Sequence, residues 1–214
     1  TPSELAWLAR HRRVIRYEQG DVIAHQGETL SSVFSVLSGA LLLEASLEDG
    51  RSQIVSLMMP GSIVALPSRR TLTFEIRAHI KTRLCILERH EFELATRRVP
   101  SLGYNSLQAS MADLDDVRRR MVLLGRKTAV ERVATYLLMV APKSVNGPQA
   151  RIISPLCQSE TARYLGVAAE TVNRAYTTLR HAGIVEFRKP CIFVPDMQRL
   201  IEAAGEMRET APLT

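Results

Sequence analysis

The residues best suited to chemistry stand together in one stretch. Glu170, Thr171, Asn173 and Arg174 fall within residues 158–177, QSETARYLGVAAETVNRAYT. An arginine fork matches the O6 and N7 acceptors of guanine, a glutamate can accept from the amino group of cytosine, and a threonine methyl can meet that of thymine. The same Glu170 and Arg174 are one helical turn apart. On an isolated helix such a pair is an ordinary ion pair on a solvated face, worth a few tenths of a kcal/mol. What the four side chains do therefore depends on the elements that carry them.

Those elements read as a helix, a tight turn and a second helix. Residues 158–165 and 169–181 have helical spacing, and Gly166 between them can take the positive φ of the turn. Ala162 is small where the two helices must approach, and Leu165, Val167, Val172 and Ala175 supply apolar contacts that fix their crossing. The outward residues at the start of the second helix are then Glu170, Thr171, Asn173 and Arg174, at the end that enters the major groove in a helix-turn-helix. A glutamate facing a phosphate-rich groove is repelled unless it accepts a base-edge hydrogen bond or orients the arginine, so Glu170 in that position implies a specific task. Gln158 and Ser159 at the start of the first helix, Arg180 at the end of the second, and Arg188 with Lys189 at a following hairpin tip are expected phosphate contacts, which set register without reading bases. For each of these five alone, a solvated turn or helix end is an equal reading.

The formal net charge of +6 and pI near 9.6 agree with a polyanionic partner, double-stranded DNA. Lys and Arg number 13 against 11 acidic residues in 1–100, 3 against 3 in 101–125, and 12 against 8 in 126–214, so the excess lies on the C-terminal side. No apolar run approaches the roughly 18 residues of a membrane span, and the first segment is charged rather than an apolar signal core, so a cytoplasmic chain with no membrane partner is expected. Cys85, Cys157 and Cys191 are odd in number, far apart and form no C-x-x-C pair, which suggests neither a disulfide framework nor a metal site. Cys157 lies beside the first residue of the helix-turn-helix. Amide dipoles and arginines there could lower its pKa, which makes it a candidate redox residue, against the plainer reading of a small packing side chain.

Upstream, short β-type runs at 21–24, 33–37, 40–45, 53–58, 74–78 and 83–87 are separated by Gly20, Gly27, Gly39, Asp49-Gly50 and Pro60-Gly61. That spacing predicts a sandwich or barrel, and Asp49-Gly50 predicts a tight hairpin. A helix follows from Ser101, which could cap it, to about Gly125. With position a at Leu107, Leu114 and Met121, Ser110, Val117 and Leu124 fall at d. Leu107, Leu114, Val117, Met121 and Leu124 are thus expected to form a dimer seam, while Asp113, Asp115, Asp116 and Arg118 to Arg120 largely face elsewhere; a helix packed on its own β domain is the alternative. A further helix at 128–140 and a hairpin at 184–187 and 192–194 complete the reading. The fold class is α+β: residues 1–100 a β domain, 101–125 a long connecting helix and 126–214 helices plus a wing, spans for which the resemblance given next implies a cyclic-nucleotide-binding-like β jelly-roll sensor domain, a dimerisation helix and a winged helix-turn-helix domain.

With these residues in view, the chain resembles the Crp/Fnr superfamily of bacterial transcription regulators over nearly its whole length. Residues 20–27 (GDVIAHQG), 34–39 (FSVLSG) and Pro60-Gly61 are similar to the glycine spacing of the cyclic-nucleotide-binding jelly roll. Residues 165–174 (LGVAAETVNR) resemble the E-T-x-S-R recognition helix of the FNR and FixK branches. The resemblance implies a homodimeric activator with RNA polymerase as a partner and no enzymatic activity, reading palindromes related to TTGA…TCAA through Glu170 and Arg174. Asn173 stands where the family has Ser, and Ala168 where a Thr or Ser caps the recognition helix, at a cost of about 1 kcal/mol. The family's Gly-Glu and Arg-Ser or Arg-Thr signature for a cyclic nucleotide is missing. Ser62 to Leu66 follows Gly61, and only Arg69 or Arg77 could substitute, so cAMP is not expected. No cysteine precedes Cys85 to hold an iron–sulfur cluster, and His25 and His79 read as structural or surface histidines rather than haem ligands. The FixK branch, with no sensory cofactor and no metal, is the nearest match. A cupin-type enzyme or a ligand-binding module without DNA activity is the competing class, but no H-x-H appears.

Overall fold

The computed structural model describes residues 10–64, 71–142 and 147–205. The chain divides into two compact units, Thr1–Val117 and Arg118–Thr214.

The first unit is a roll of two four-stranded antiparallel sheets. Its strands are β1 (Arg13–Tyr17), β2 (Val22–Ala24), β3 (Ser32–Ser38), β4 (Leu41–Ser46), β5 (Ser52–Met58), β6 (Ile63–Val64), β7 (Glu75–Ala78) and β8 (Thr82–Glu88). One sheet has the order β1-β8-β3-β6 and the other β2-β7-β4-β5. Alternate residues point inward, so Val36, Leu41, Leu43, Met58, Ile76 and Leu84 meet in the core, each at most 6% exposed. The β4–β5 hairpin turns at Asp49-Gly50 as expected, with Gly50 at φ +82° and its N–H donating to Leu47 O at 3.0 Å. Gly39 is required for a different reason. It has φ +90°, and a Cβ there would overlap the Lys81 carbonyl and Thr82. Buried Thr82 uses that close approach, its Oγ accepting from Ala40 N–H at 3.1 Å and donating to Ala40 O at 3.0 Å.

Helix α1 (Arg89–Arg98) leads into the long helix α2 (Pro100–Arg126). Pro100 occupies the first helical position, where its missing N–H costs nothing, so Ser101 stands inside the first turn rather than before it as a cap.

The second unit adds α3 (Ala129–Val140), β9 (Ala150–Ile152), α4 (Gln158–Leu165), α5 (Ala169–His181), β10 (Glu186–Arg188), β11 (Cys191–Val194) and α6 (Met197–Ala203). Helix α3 starts at a capping box. The Glu131 carboxylate accepts from Thr128 N–H at 2.6 Å and Thr128 Oγ accepts from Glu131 N–H at 3.4 Å. The bonds its carboxylate accepts from Thr128 N–H and, at 2.8 Å, from Thr128 Oγ–H hold the Glu131 pKa below the ordinary carboxylate value. Val133, Leu137, Leu165, Val172, Val185, Val194 and Leu200 are all fully buried and form the core of this unit. Tyr136 is buried with them and its hydroxyl meets Ser154 Oγ at 2.6 Å. The wing is a three-stranded sheet, β10-β11-β9, not a hairpin alone.

Candidate nucleic-acid interface

The recognition element is built around the end of α4. Gly166 sits at φ +64°, ψ +37°, the left-handed conformation that turns the chain, and the Val167 N–H donates to Ala162 O at 3.1 Å. Ala162 is buried, as the close helix approach requires. Helix α5 then has two distinct faces. Val172, Ala175, Tyr176 and Leu179 are buried, and Glu170, Asn173, Arg174, Thr177 and Arg180 are exposed, with Thr171 half-buried between them. Burying Leu179 and Val172 contributes about 1.5–3 kcal/mol each. Glu170 and Arg174 make no ion pair or hydrogen bond through their side chains among the described residues, so the i, i+4 pair does not form and both termini are free for another partner. Ala168 precedes the helix without a side-chain cap, leaving the first amides of α5 without that acceptor.

The expected phosphate contacts lie on the surface. Gln158, Ser159 and Lys189 are exposed. Arg180 is exposed near the C-terminal end of α5, where Arg199 Nη2 donates to Ala182 O at 2.7 Å. Arg188 is on β10 beside the tip and is already engaged: it donates to Glu186 at 2.6 and 2.9 Å and its guanidinium lies 4.0 Å over the Phe193 ring. Phe187, half exposed, packs edge-on against Tyr176 with centroids 5.5 Å apart, which pins the wing to the recognition helix. Neither aromatic contact was marked by a sequence signal beyond the residue types. Burial pushes the Tyr176 hydroxyl far above its ordinary pKa, so it stays neutral. Cys157 is exposed at the position before α4, its N–H donating to Glu160 at 2.8 Å and its Sγ 3.2 Å from Ser159 Oγ.

On α2, Leu107, Leu114, Val117 and Met121 are exposed and Leu124 is half-buried. Tyr104 and Met111 extend the apolar stripe, whereas Ser110, at the d position, turns its hydroxyl to Ser106 O at 3.0 Å. The three arginines that follow do not all face solvent. Arg120 is only 9% exposed and stacks on Tyr164.

The roll has its own cavity, of about 460 Å³, lined by apolar Leu43, Val55, Met58 and Phe74 and by Asp113 and Ser110 of α2. Among its described lining residues there is no Lys or Arg. Desolvation raises the Asp113 pKa, and the neighbouring Asp116 adds to the rise. Arg77 is committed to Glu75 and to Gly20 O at 3.3 Å, and Arg69 lies outside the described residues. This described lining offers no cation to a cyclic phosphate. Among the described residues no group of three or more His, Cys, Asp or Glu could hold a metal.

Two family models match the chain: a Crp-like helix-turn-helix domain over residues 131–203 and a cyclic nucleotide-binding domain over residues 14–98. The transcriptional activator protein FnrL of Cereibacter sphaeroides is 34% identical over 211 residues, covering 95% of this chain and 85% of FnrL. The chain belongs to the Crp/Fnr family of transcription regulators. The nitrogen fixation regulation protein FixK of Rhizobium meliloti is 28% identical over 83% of this chain and 80% of its own. The solved structure of FixK2 from Bradyrhizobium japonicum superposes with a TM-score of 0.79 at 29% identity, covering 90% of this chain and 96% of that one. Crp/Fnr membership makes the chain a transcription factor with a helix-turn-helix for DNA and not an enzyme, which removes the cupin reading. No helix among the described residues is long and apolar enough to cross a membrane.

Proposed function

We propose that the chain works as a homodimer that binds TTGA…TCAA-like palindromes and activates transcription by engaging RNA polymerase. The observation that carries this reading is the outward face of α5. Glu170, Asn173 and Arg174 are exposed on a helix whose opposite face is fully buried, and the two charged residues of the set have no partner among the described residues. Holding a carboxylate and a guanidinium apart on one rigid face fits base-edge readout and does little for stability. The seam of Leu107, Leu114, Val117 and Met121, extended by Tyr104 and Met111, supports pairing of two copies, because a stripe this apolar is costly to leave in water. Paired copies place two α5 helices in successive major grooves about one DNA turn apart.

The carboxyl in the roll cavity supports regulation without a cyclic nucleotide. A phosphodiester meeting Asp113 would be repelled rather than forked by an arginine. A gel shift with purified protein and no added ligand tests both points. Retardation of the palindrome, but not of a scrambled duplex at physiological salt, is expected, with affinity unchanged by saturating cAMP. Equal affinity for both duplexes would overturn the DNA reading, and a cAMP-dependent shift would overturn the ligand reading.

A further inference from the structure

The last two carbonyls of α4 are held by guanidinium groups that come from outside the helix-turn-helix. Arg132, on α3, has its Nη1 donating to Leu165 O at 2.9 Å, while its Nη2 donates to Leu124 O at 2.8 Å and its Nε to Lys127 O at 3.0 Å. One side chain thus closes the C-terminal end of α2 and the C-terminal end of α4 together. Arg120, on α2, adds a second tie, its Nη2 donating to Tyr164 O at 3.2 Å and its guanidinium carbon lying 4.0 Å from the Tyr164 ring centroid. That ring is in turn 5.7 Å from the ring of buried Tyr136. Gly166 and the recognition helix begin immediately beyond these two carbonyls.

Helix ends present carbonyls without intrahelical partners, and a cation there also meets the negative end of the helix dipole. A lysine could supply the charge but not the planar fork that spans two helix ends or stacks on a ring. Burying Arg120 carries a desolvation cost, and at such a site an apolar side chain of similar volume commonly packs as well or better. Arg120 is therefore a poor choice for stability alone and a good one for fixing an angle.

Resting on the dimeric reading above, we infer that Arg120 and Arg132 are positioning residues for DNA recognition. They tie the C-terminal end of the long helix to the turn that precedes α5, and so fix the separation between half-sites that the dimer accepts. Met121, the last exposed residue of the expected seam, follows Arg120 on the same helix, so the tie acts where that seam ends.

The test uses the full chain, with Arg120→Met, Arg120→Lys and Arg132→Gln, against duplexes whose half-sites stand at the preferred separation and one base pair closer or farther. Wild type should lose about tenfold or more when the separation changes, and Arg120→Met should lose about tenfold on the preferred duplex and little on the others. Base preference within each half-site should stay as in wild type, and Arg120→Lys should fall between the two. Equal loss on all three duplexes means a merely structural role, and no loss means no role; either overturns the inference. Arg132→Gln, which keeps the buried Arg120 packing, answers the same question if Arg120→Met does not fold. Should wild type bind no duplex at all, the DNA reading fails, and amide exchange still judges the tie. Arg120→Met must then speed exchange in 162–167 as well as in 118–126, and faster exchange in 118–126 alone overturns it.

Discussion

Two groups of charged side chains, one on α5 and one in the roll, are arranged in opposite ways. On α5 a carboxylate and a guanidinium one turn apart stay separate and exposed. In the roll, Glu75 engages both Arg77 and His25, Arg51 pairs with Asp49, and Asp113 alone faces an apolar cavity. Charges that satisfy one another are finished structure, whereas charges held apart on a rigid face are available to a partner. The difference separates a helix face whose charges are open to a partner from a roll cavity whose described lining carries no Lys or Arg.

The contrast breaks most readily at the support of the reading face. Leu179→Ala removes a side chain 1% exposed from beneath α5 and should cost about 2–5 kcal/mol in denaturant unfolding. A loss under about 1 kcal/mol would mean that α5 is not anchored as described.

Next in size is the surface itself. Arg174→Ala should cost about 1–3 kcal/mol in operator affinity and relax preference at one base pair, whereas Lys189→Ala should weaken all duplexes evenly and lower the salt slope by about 1. If the two variants behave alike in a competition assay with single-base operator variants, base reading does not reside in Arg174.

A smaller effect comes from the uncapped start of α5. Ala168→Ser should stabilise the protein by about 1 kcal/mol, read as a rise in the unfolding midpoint, without changing base preference.

The smallest is in the roll. A raised carboxyl pKa means that the folded state binds the proton more tightly than the unfolded chain, so ionised Asp113 opposes folding at neutral pH, and the opposition fades as pH falls through the raised value and is gone below the ordinary 3.8. Asp113→Asn should therefore raise the Tm at pH 7 and leave it unchanged at pH 3. A lower Tm at pH 7 would show that Asp113 has a favourable partner.

The parts legible in the sequence are those where one residue type has one physical use. Gly166 between two helical patterns, Ala162 at the crossing and Asp49-Gly50 between alternating runs all appear where expected. The parts that were not legible lacked such a mark. Strand β9 has three residues, too few for any period, so the wing read as a hairpin. Strand β1, RVIRY, carries two arginines and is largely exposed. Arg118, Arg119 and Arg120 are identical in type and adjacent, and only the packing of Tyr164 separates the buried one from its neighbours. The heptad pattern put Ser110 in the expected seam, whereas the exposed apolar residues of α2 include Tyr104 and Met111, because exposure follows the local packing of α2 and not an ideal repeat.

The central claim is that α5 reads bases through Glu170 and Arg174 in a paired molecule. Selection from a pool of random duplexes, using ligand-free wild type and Arg174→Ala side by side, addresses it most directly. The account predicts a palindrome from wild type, and from the variant the same palindrome with one position relaxed symmetrically in both halves. A single unpaired half-site from wild type, or identical consensus sequences from the two proteins, would contradict it.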